Sequence, residues 1–118
     1  MNLIRHLIKA LFYAWDGLKV AVCQERAFQI EMGVTIAVIP LAFWLGRSWE
    51  ARALLMMVWL LVPIVELVNS SLETAVNRMG TEHHLLSKRA KDLAAAAVLL
   101  ALLNAAVVWG FMLLSAWR

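Results

Sequence analysis

Apolar residues in this chain recur first with a helical period and then in long runs. Over residues 1–25, Leu3, Leu7, Ala10, Leu11, Ala14, Trp15 and Leu18 fall on one helical side, while Arg5, Lys9, Asp16 and Lys19 lie mostly elsewhere. That spacing predicts an amphipathic helix resting on a membrane surface, with Tyr13 and Trp15 at headgroup depth. The first apolar run, 28–46, is about long enough to cross ~30 Å of hydrocarbon, and Pro40 inside it removes a backbone donor and predicts a bend. The connector RSWEAR is short, so the second run, 53–76, is predicted as an antiparallel neighbour. A charged segment at 77–91, centred on Gly80, reads as a loop. The third run, 92–117, is rich in alanine, which permits close approach of membrane helices.

Composition strengthens the membrane reading. Of the 118 residues 64% are hydrophobic, with a mean hydropathy of +0.77, against roughly 45–50% apolar usage in soluble domains. A compact soluble fold of this size has too little interior for that apolar surface. The prediction is a single-domain, all-α membrane protein with one surface helix and three transmembrane helices. The net charge of +3, with no basic block, argues against a nucleic-acid partner. Cys23 is the only cysteine, which excludes an intrachain disulfide. The start carries charge throughout and lacks the continuous apolar core of a signal peptide. Arg5, Lys9, Lys19, Arg26, Arg78, Lys88, Arg89 and Lys91 lie on one side of the predicted spans and Arg47, Arg52 and Arg118 on the other. This asymmetry predicts a cytoplasmic N-terminus and a cytoplasmic 77–91 segment. Three spans enclose little space by themselves, which predicts an oligomer. Most tryptophans lie near span ends as interface anchors; Trp59 does not fit that belt.

Polar residues are concentrated where the second run ends. Glu66 and Glu73 are seven residues apart, about 700° of helix, so they share a face about 10 Å apart along the axis. Ser70 and Asn77 continue that stripe, and Asn69 flanks it. Intramembrane charge costs at least ~2.5 kcal/mol on insertion scales, so the stripe is expected to face a partner helix or a wet cleft. Glu66, among Val65, Leu67 and Val68, suits a general base. Glu73, nearer water, suits a ligand to a hard cation such as Mg²⁺, and Lys91 suits a point charge for phosphate. Base, metal ligand and lysine are the parts of phosphoryl transfer, which is mostly positioning and charge neutralisation. Polar glue within an oligomer is the alternative. His83 and His84 point ~100° apart on a helix and make a poor zinc pair.

The motif E-x-x-N-S-x-x-E at Glu66–Glu73, followed by E-x-H-x-L-S-x-x-A-K-D at Glu82–Asp92, resembles the small bacterial integral-membrane diacylglycerol kinase family, including its undecaprenol kinase branch. ERAFQIE before the first span and the amphipathic start extend the likeness over the whole chain. The resemblance implies a homotrimer with composite sites at the cytoplasmic membrane surface and transfer of the ATP γ-phosphate to a lipid hydroxyl. It implies Glu66 as the base, Asn69 as its polar neighbour, and Glu25 and Glu73 as carboxylates for Mg²⁺. Nucleotide contacts are implied for His6, Tyr13, Glu82, His83, His84, Lys91 and Asp92. Lipid contacts are implied for Lys9, the Ala10–Trp15 and Ala27–Glu31 segments (with Gln29), Ala95, Trp44–Arg47, Arg52 and Trp109–Leu114.

Relative to the family pattern, His6 stands at a basic position, Asn77 where aspartate is common, Lys88 where some members have glycine, and Ala95 in place of a serine. The parts for phosphoryl transfer are retained. The acceptor is read as diacylglycerol, with undecaprenol as the alternative; HLLSKRAKD lacks a proline that some undecaprenol kinases carry. A small proton-coupled transporter, which also carries a buried glutamate, would be expected to have four spans, and a non-catalytic assembly subunit would show neither activity.

Overall fold

A computed structural model describes residues 2–80 and 84–117. It contains four helices: α1 (Leu3–Gln24), α2 (Arg26–Leu45), α3 (Trp49–Met79) and α4 (Leu85–Trp117). The Asn2 side chain caps α1, its Oδ1 accepting from the Ile4 N–H at 3.1 Å. One residue, Glu25, separates α1 from α2; its extended backbone (φ −102°, ψ 105°) ends one helix and opens the next. Gln29 Nε2 braces this corner by donating to the Val22 carbonyl at 2.8 Å.

The turn from α2 to α3 is closed by side chains. Ser48 Oγ accepts from the Ala51 N–H at 3.0 Å, capping α3. Arg52 Nε donates to the Phe43 carbonyl at 3.2 Å, and its guanidinium lies 4.6 Å from the Trp49 ring centre and 5.7 Å from that of Phe43. Gly46 fits because it has no side chain. A Cβ there would stand 2.6 Å from Arg52 Cγ and 2.9 Å from both the Ala42 carbonyl oxygen and the Arg52 nitrogen. Arg47 Nη2 donates to the Ala116 carbonyl at 3.1 Å, drawing the end of α4 to the same end of the bundle.

α3 is the shared element. It packs most extensively on α4 and next on α2, whereas α1 touches chiefly α2. The α3–α4 seam is built from Val58, Val62, Ala101 and Ala105, with Trp59, Val65, Val108 and Trp109 around them. Alanines on α4 let the backbones approach, and Trp109 Nε1 crosses the seam to the Leu55 carbonyl at 3.1 Å. Ile36, Met57, Leu100 and Phe111 face outward. Such an apolar exterior needs lipid or another chain to cover it, and α2, α3 and α4 are each long and apolar enough to cross a membrane.

Helix boundaries run past those expected from hydropathy. α3 has 31 residues and α4 has 33, about 46 and 50 Å at ~1.5 Å per residue, against ~30 Å of hydrocarbon. α3 begins at Trp49 rather than near 53. Much of the 77–91 segment, expected as loop, is helical: Asn77–Met79 finish α3 and Leu85–Lys91 open α4. Hydropathy marks where a helix leaves lipid, not where it stops, and Leu, Lys, Arg and Ala sustain a helix in water. Gly80, with φ 156°, follows α3 in a conformation that favours glycine.

Gly46→Ala is expected to cost about 1–3 kcal/mol of stability, the usual scale of overpacking against backbone. A denaturant or thermal midpoint of the detergent-solubilised variant equal to that of the parent would show that the turn yields.

Candidate active site

The stripe expected on α3 exists, and it is graded in burial. Glu66 and Asn69 are 7% and 8% exposed, whereas Glu73 is open to solvent. Asn69 Nδ2 donates to Glu73 Oε1 at 3.3 Å, linking the buried and exposed halves, while Asn69 Oδ1 has no partner among the described residues. Thr74 and Ser71 turn their hydroxyls back onto the Ser70 and Val68 carbonyls, at 2.8 and 2.7 Å.

Two further carboxylates converge on this stripe from other elements. Glu31 of α2 is buried at 9% exposure, and its Oε1 has no hydrogen-bond partner among the described residues. Glu25 occupies the α1–α2 corner. Glu66 lies within electrostatic reach of Glu31, Glu25 and Glu73. Four acids from α2, α3 and the corner residue thus approach one another, two of them buried and two nearer solvent, an arrangement that calls for a cation or shared protons. Glu25 also lines a cavity of about 550 Å³ between α1 and α3, with Ser70, Ser71 and Thr74 on its polar side and Gly17 and Leu67 on its apolar side.

The turn that carries Glu31 is fixed by Thr35 and Trp59. Thr35 Oγ1 donates to the Glu31 carbonyl at 2.7 Å and accepts from Trp59 Nε1 at 2.8 Å. This accounts for the tryptophan that did not fit the interface belt: its indole N–H ties α3 to α2 beneath the site. Neither Thr35 nor Trp59 was among the site residues expected from sequence, and the only hint was a mid-span aromatic with a donor to satisfy.

From α4, Lys91 Nζ donates to Asn77 Oδ1 at 2.7 Å, while Lys88 Nζ pairs with Asp92 Oδ2 at 2.6 Å. The adjacent Lys91 and Asp92 therefore have separate partners. His84 Nδ1 accepts from the Leu86 N–H at 3.1 Å at the start of α4. Glu82 and His83, expected as nucleotide contacts, lie outside the described residues.

Other expected residues stand apart from the stripe. His6, Lys9, Ala10, Tyr13 and Trp15 are exposed along α1, which lies chiefly against α2. Ala27 is exposed just past the corner, Gln29 braces that corner, and Ala95 is exposed one turn beyond Lys91. Arg52 is engaged in the opposite turn, about 21 Å from Glu66 along α3 at ~1.5 Å per residue. Trp109 bonds to Leu55 in the same half of the bundle as Arg52. Among the described residues no three His, Cys, Asp or Glu side chains form a closed metal cluster. A Mg²⁺ bound through one or two carboxylates and substrate phosphates needs no such cage, and Glu25 and Glu73 offer hard oxygen donors of that kind.

Residues 12–113 match the family described as "Prokaryotic diacylglycerol kinase". The chain is 42% identical over 109 residues to the diacylglycerol kinase of Escherichia coli K12, covering 92% of this chain and 89% of that protein. It is 44% identical over 110 residues to the diacylglycerol kinase of Haemophilus influenzae, covering 93% of each. Against the diacylglycerol kinase of Helicobacter pylori 26695 the figure is 43% over 111 residues, covering 94% and 87%.

Thr35→Val keeps the shape of the side chain but leaves the Trp59 indole N–H without its acceptor. It is expected to cost about 1–3 kcal/mol, the penalty of an unsatisfied buried donor. The unfolding free energy in detergent checks this, and an unchanged value would mean that Trp59 finds another partner.

Proposed function

This chain belongs to the prokaryotic diacylglycerol kinase family, and from that premise we propose that it transfers the γ-phosphate of ATP to the primary hydroxyl of diacylglycerol, giving phosphatidic acid. The observation that carries the reading is the approach of Glu25, Glu31 and Glu73 to a buried Glu66, with Asn77 one turn past Glu73 and bonded to Lys91. The chain is a kinase of a multi-pass membrane family, and its three membrane-length helices do not match the four spans of a small transporter.

In the proposed mechanism Glu66 accepts the proton of the lipid hydroxyl as the hydroxyl oxygen attacks the γ-phosphorus, and ADP departs. Burial among Val65, Leu67 and the α2 helix keeps bulk water from competing for the phosphoryl group. Asn69, donating to Glu73, holds the exposed carboxylate in register with the buried one. Lys91 supplies a point charge to the phosphate oxygens. Mg²⁺ held between Glu25, Glu73 and the nucleotide phosphates would neutralise charge on the transferring group. His6, Tyr13, Glu82, His83, His84 and Asp92 belong to the nucleotide side of this reading. The first turns of α2, with Ala27, Gln29 and Glu31, and Ala95 belong to the lipid side.

The same reading has α1 lying on the membrane surface, the N-terminus in the cytoplasm, the inner membrane as location and a homotrimer as the working unit. Exposed apolar residues along α1, including Leu7, Leu11 and Trp15, support the first. The outward-facing apolar surface of α2 and α4 supports an assembly or lipid cover.

Glu66→Gln is expected to lower kcat about 10²–10⁴-fold, the usual worth of a general base, while nucleotide binding persists. Incorporation of labelled phosphate from ATP into diacylglycerol measures this, and near-parental turnover would remove Glu66 from the base role. Glu73→Gln is expected to shift the Mg²⁺ activation curve to higher concentration; an unmoved curve would count against ligation. Run side by side with undecaprenol, the assay is expected to favour diacylglycerol.

A further inference from the structure

Lys91 is held by a neutral partner. Its ammonium donates to Asn77 Oδ1 at 2.7 Å across fourteen residues of sequence, joining the last turn of α3 to the second turn of α4. The other lysine ammoniums with a side-chain partner among the described residues meet carboxylates: Lys88 meets Asp92 at 2.6 Å and Lys19 meets Asp16 at 3.6 Å. A carboxylate fixes an ammonium and cancels its charge. An amide oxygen fixes it and leaves the charge in place for an incoming anion.

The position of Asn77 gives this difference a consequence. Asn69, Glu73 and Asn77 follow one another at i, i+4 and i+8 on α3, and Asn69 already donates to Glu73. A carboxylate at 77 would stand one turn from Glu73 and add like charge on that face, beside the phosphates Lys91 is to meet. A lysine chain on four methylenes loses much rotamer freedom when it is fixed. Fixing it before the nucleotide arrives removes that cost from binding.

We propose that Asn77 is a positioning residue for phosphoryl transfer: it presets the Lys91 ammonium toward the nucleotide phosphates without neutralising it. This rests on the reading of Lys91 as a phosphate contact.

The test uses the full chain in lipid nanodiscs, with Asn77→Leu (similar shape, no acceptor), Asn77→Asp (same shape, acceptor kept), Lys91→Met and the Asn77→Leu/Lys91→Met double variant. Asn77→Leu is expected to raise the KM for ATP roughly tenfold, the worth of one charge-assisted hydrogen bond, with kcat and the lipid KM changed far less. Asn77→Asp, which keeps the acceptor but cancels the charge of the ammonium, is also expected to raise the KM for ATP, and a parental KM there would overturn the role given to the neutral partner. The double variant is expected to match Lys91→Met alone, because Asn77 acts only through Lys91. An unchanged ATP KM in Asn77→Leu, or losses that add in the double variant, overturns the proposal while a large effect of Lys91→Met leaves the phosphate-contact reading standing. If Lys91→Met leaves both ATP KM and kcat unchanged, that reading fails and the proposal fails with it. The contact is also read without a variant, from the ¹⁵N-resolved ammonium signal of Lys91 in nucleotide-free protein. Slower hydrogen exchange than at exposed Lys9 supports the proposal, and equal exchange overturns it.

Discussion

A carboxylate placed between membrane helices is stable only where its charge meets a proton, a cation, water or a hydrogen-bond donor. In this chain Glu66 and Glu31 both take that position, on α3 and α2, and much of the bundle can be understood as support for them. The Thr35–Trp59 pair holds α2 against α3 at the turn that carries Glu31. The α3–α4 seam, closed by small residues and by Trp109, fixes α3 from its other side. α3 is thereby braced on two sides while its polar face stays available.

The constraint also explains the division of the stripe. Along α3 the environment changes from buried to open within two turns, and the chemistry changes with it. Glu66 and Asn69 sit in the low-dielectric part, where a proton acceptor is shielded from water. Glu73 and Asn77 sit beyond it, where an ion or a phosphate can arrive. The hydrogen bond from Asn69 to Glu73 spans the boundary, so the two environments are mechanically one site. α3 and α4 are both longer than the hydrocarbon is thick, and the residues flanking their connection, Asn77–Met79 and Leu85–Lys91, are helical. Lys91 is presented from a helix, and a helix positions a side chain more tightly than a loop does.

The opposite end of the bundle is organised for stability rather than chemistry. Arg52, stacked on Trp49 and near Phe43 and bonded to the Phe43 carbonyl, closes a turn that tolerates only glycine at position 46. Arg47 ties α4 into the same end.

Much of this was legible in the residues. Seven-residue spacing put Glu66 and Glu73 on one face because helical geometry is local, and the three apolar runs gave three spans because the length of a membrane crossing is set by the bilayer. The long E-x-x-N-S-x-x-E and A-K-D motifs carried the family resemblance because so long a run of polar residues in one fixed order is specific. Packing decided the rest. Glu31 stood in the sequence only as the end of an implied lipid-contact segment, and the approach of α2 to α3 buries it near Glu66. Trp59 had no role until Thr35, 24 residues away, became its partner. Lys91 and Asp92 read as one pair because they are adjacent, yet neighbours on a helix point ~100° apart, so one reached α3 and the other paired along α4. The sequence by itself determined the helices and the stripe, because period and length act over a few turns. Which acids meet, and which lysine reaches across to α3, was decided by contacts between elements far apart in the chain.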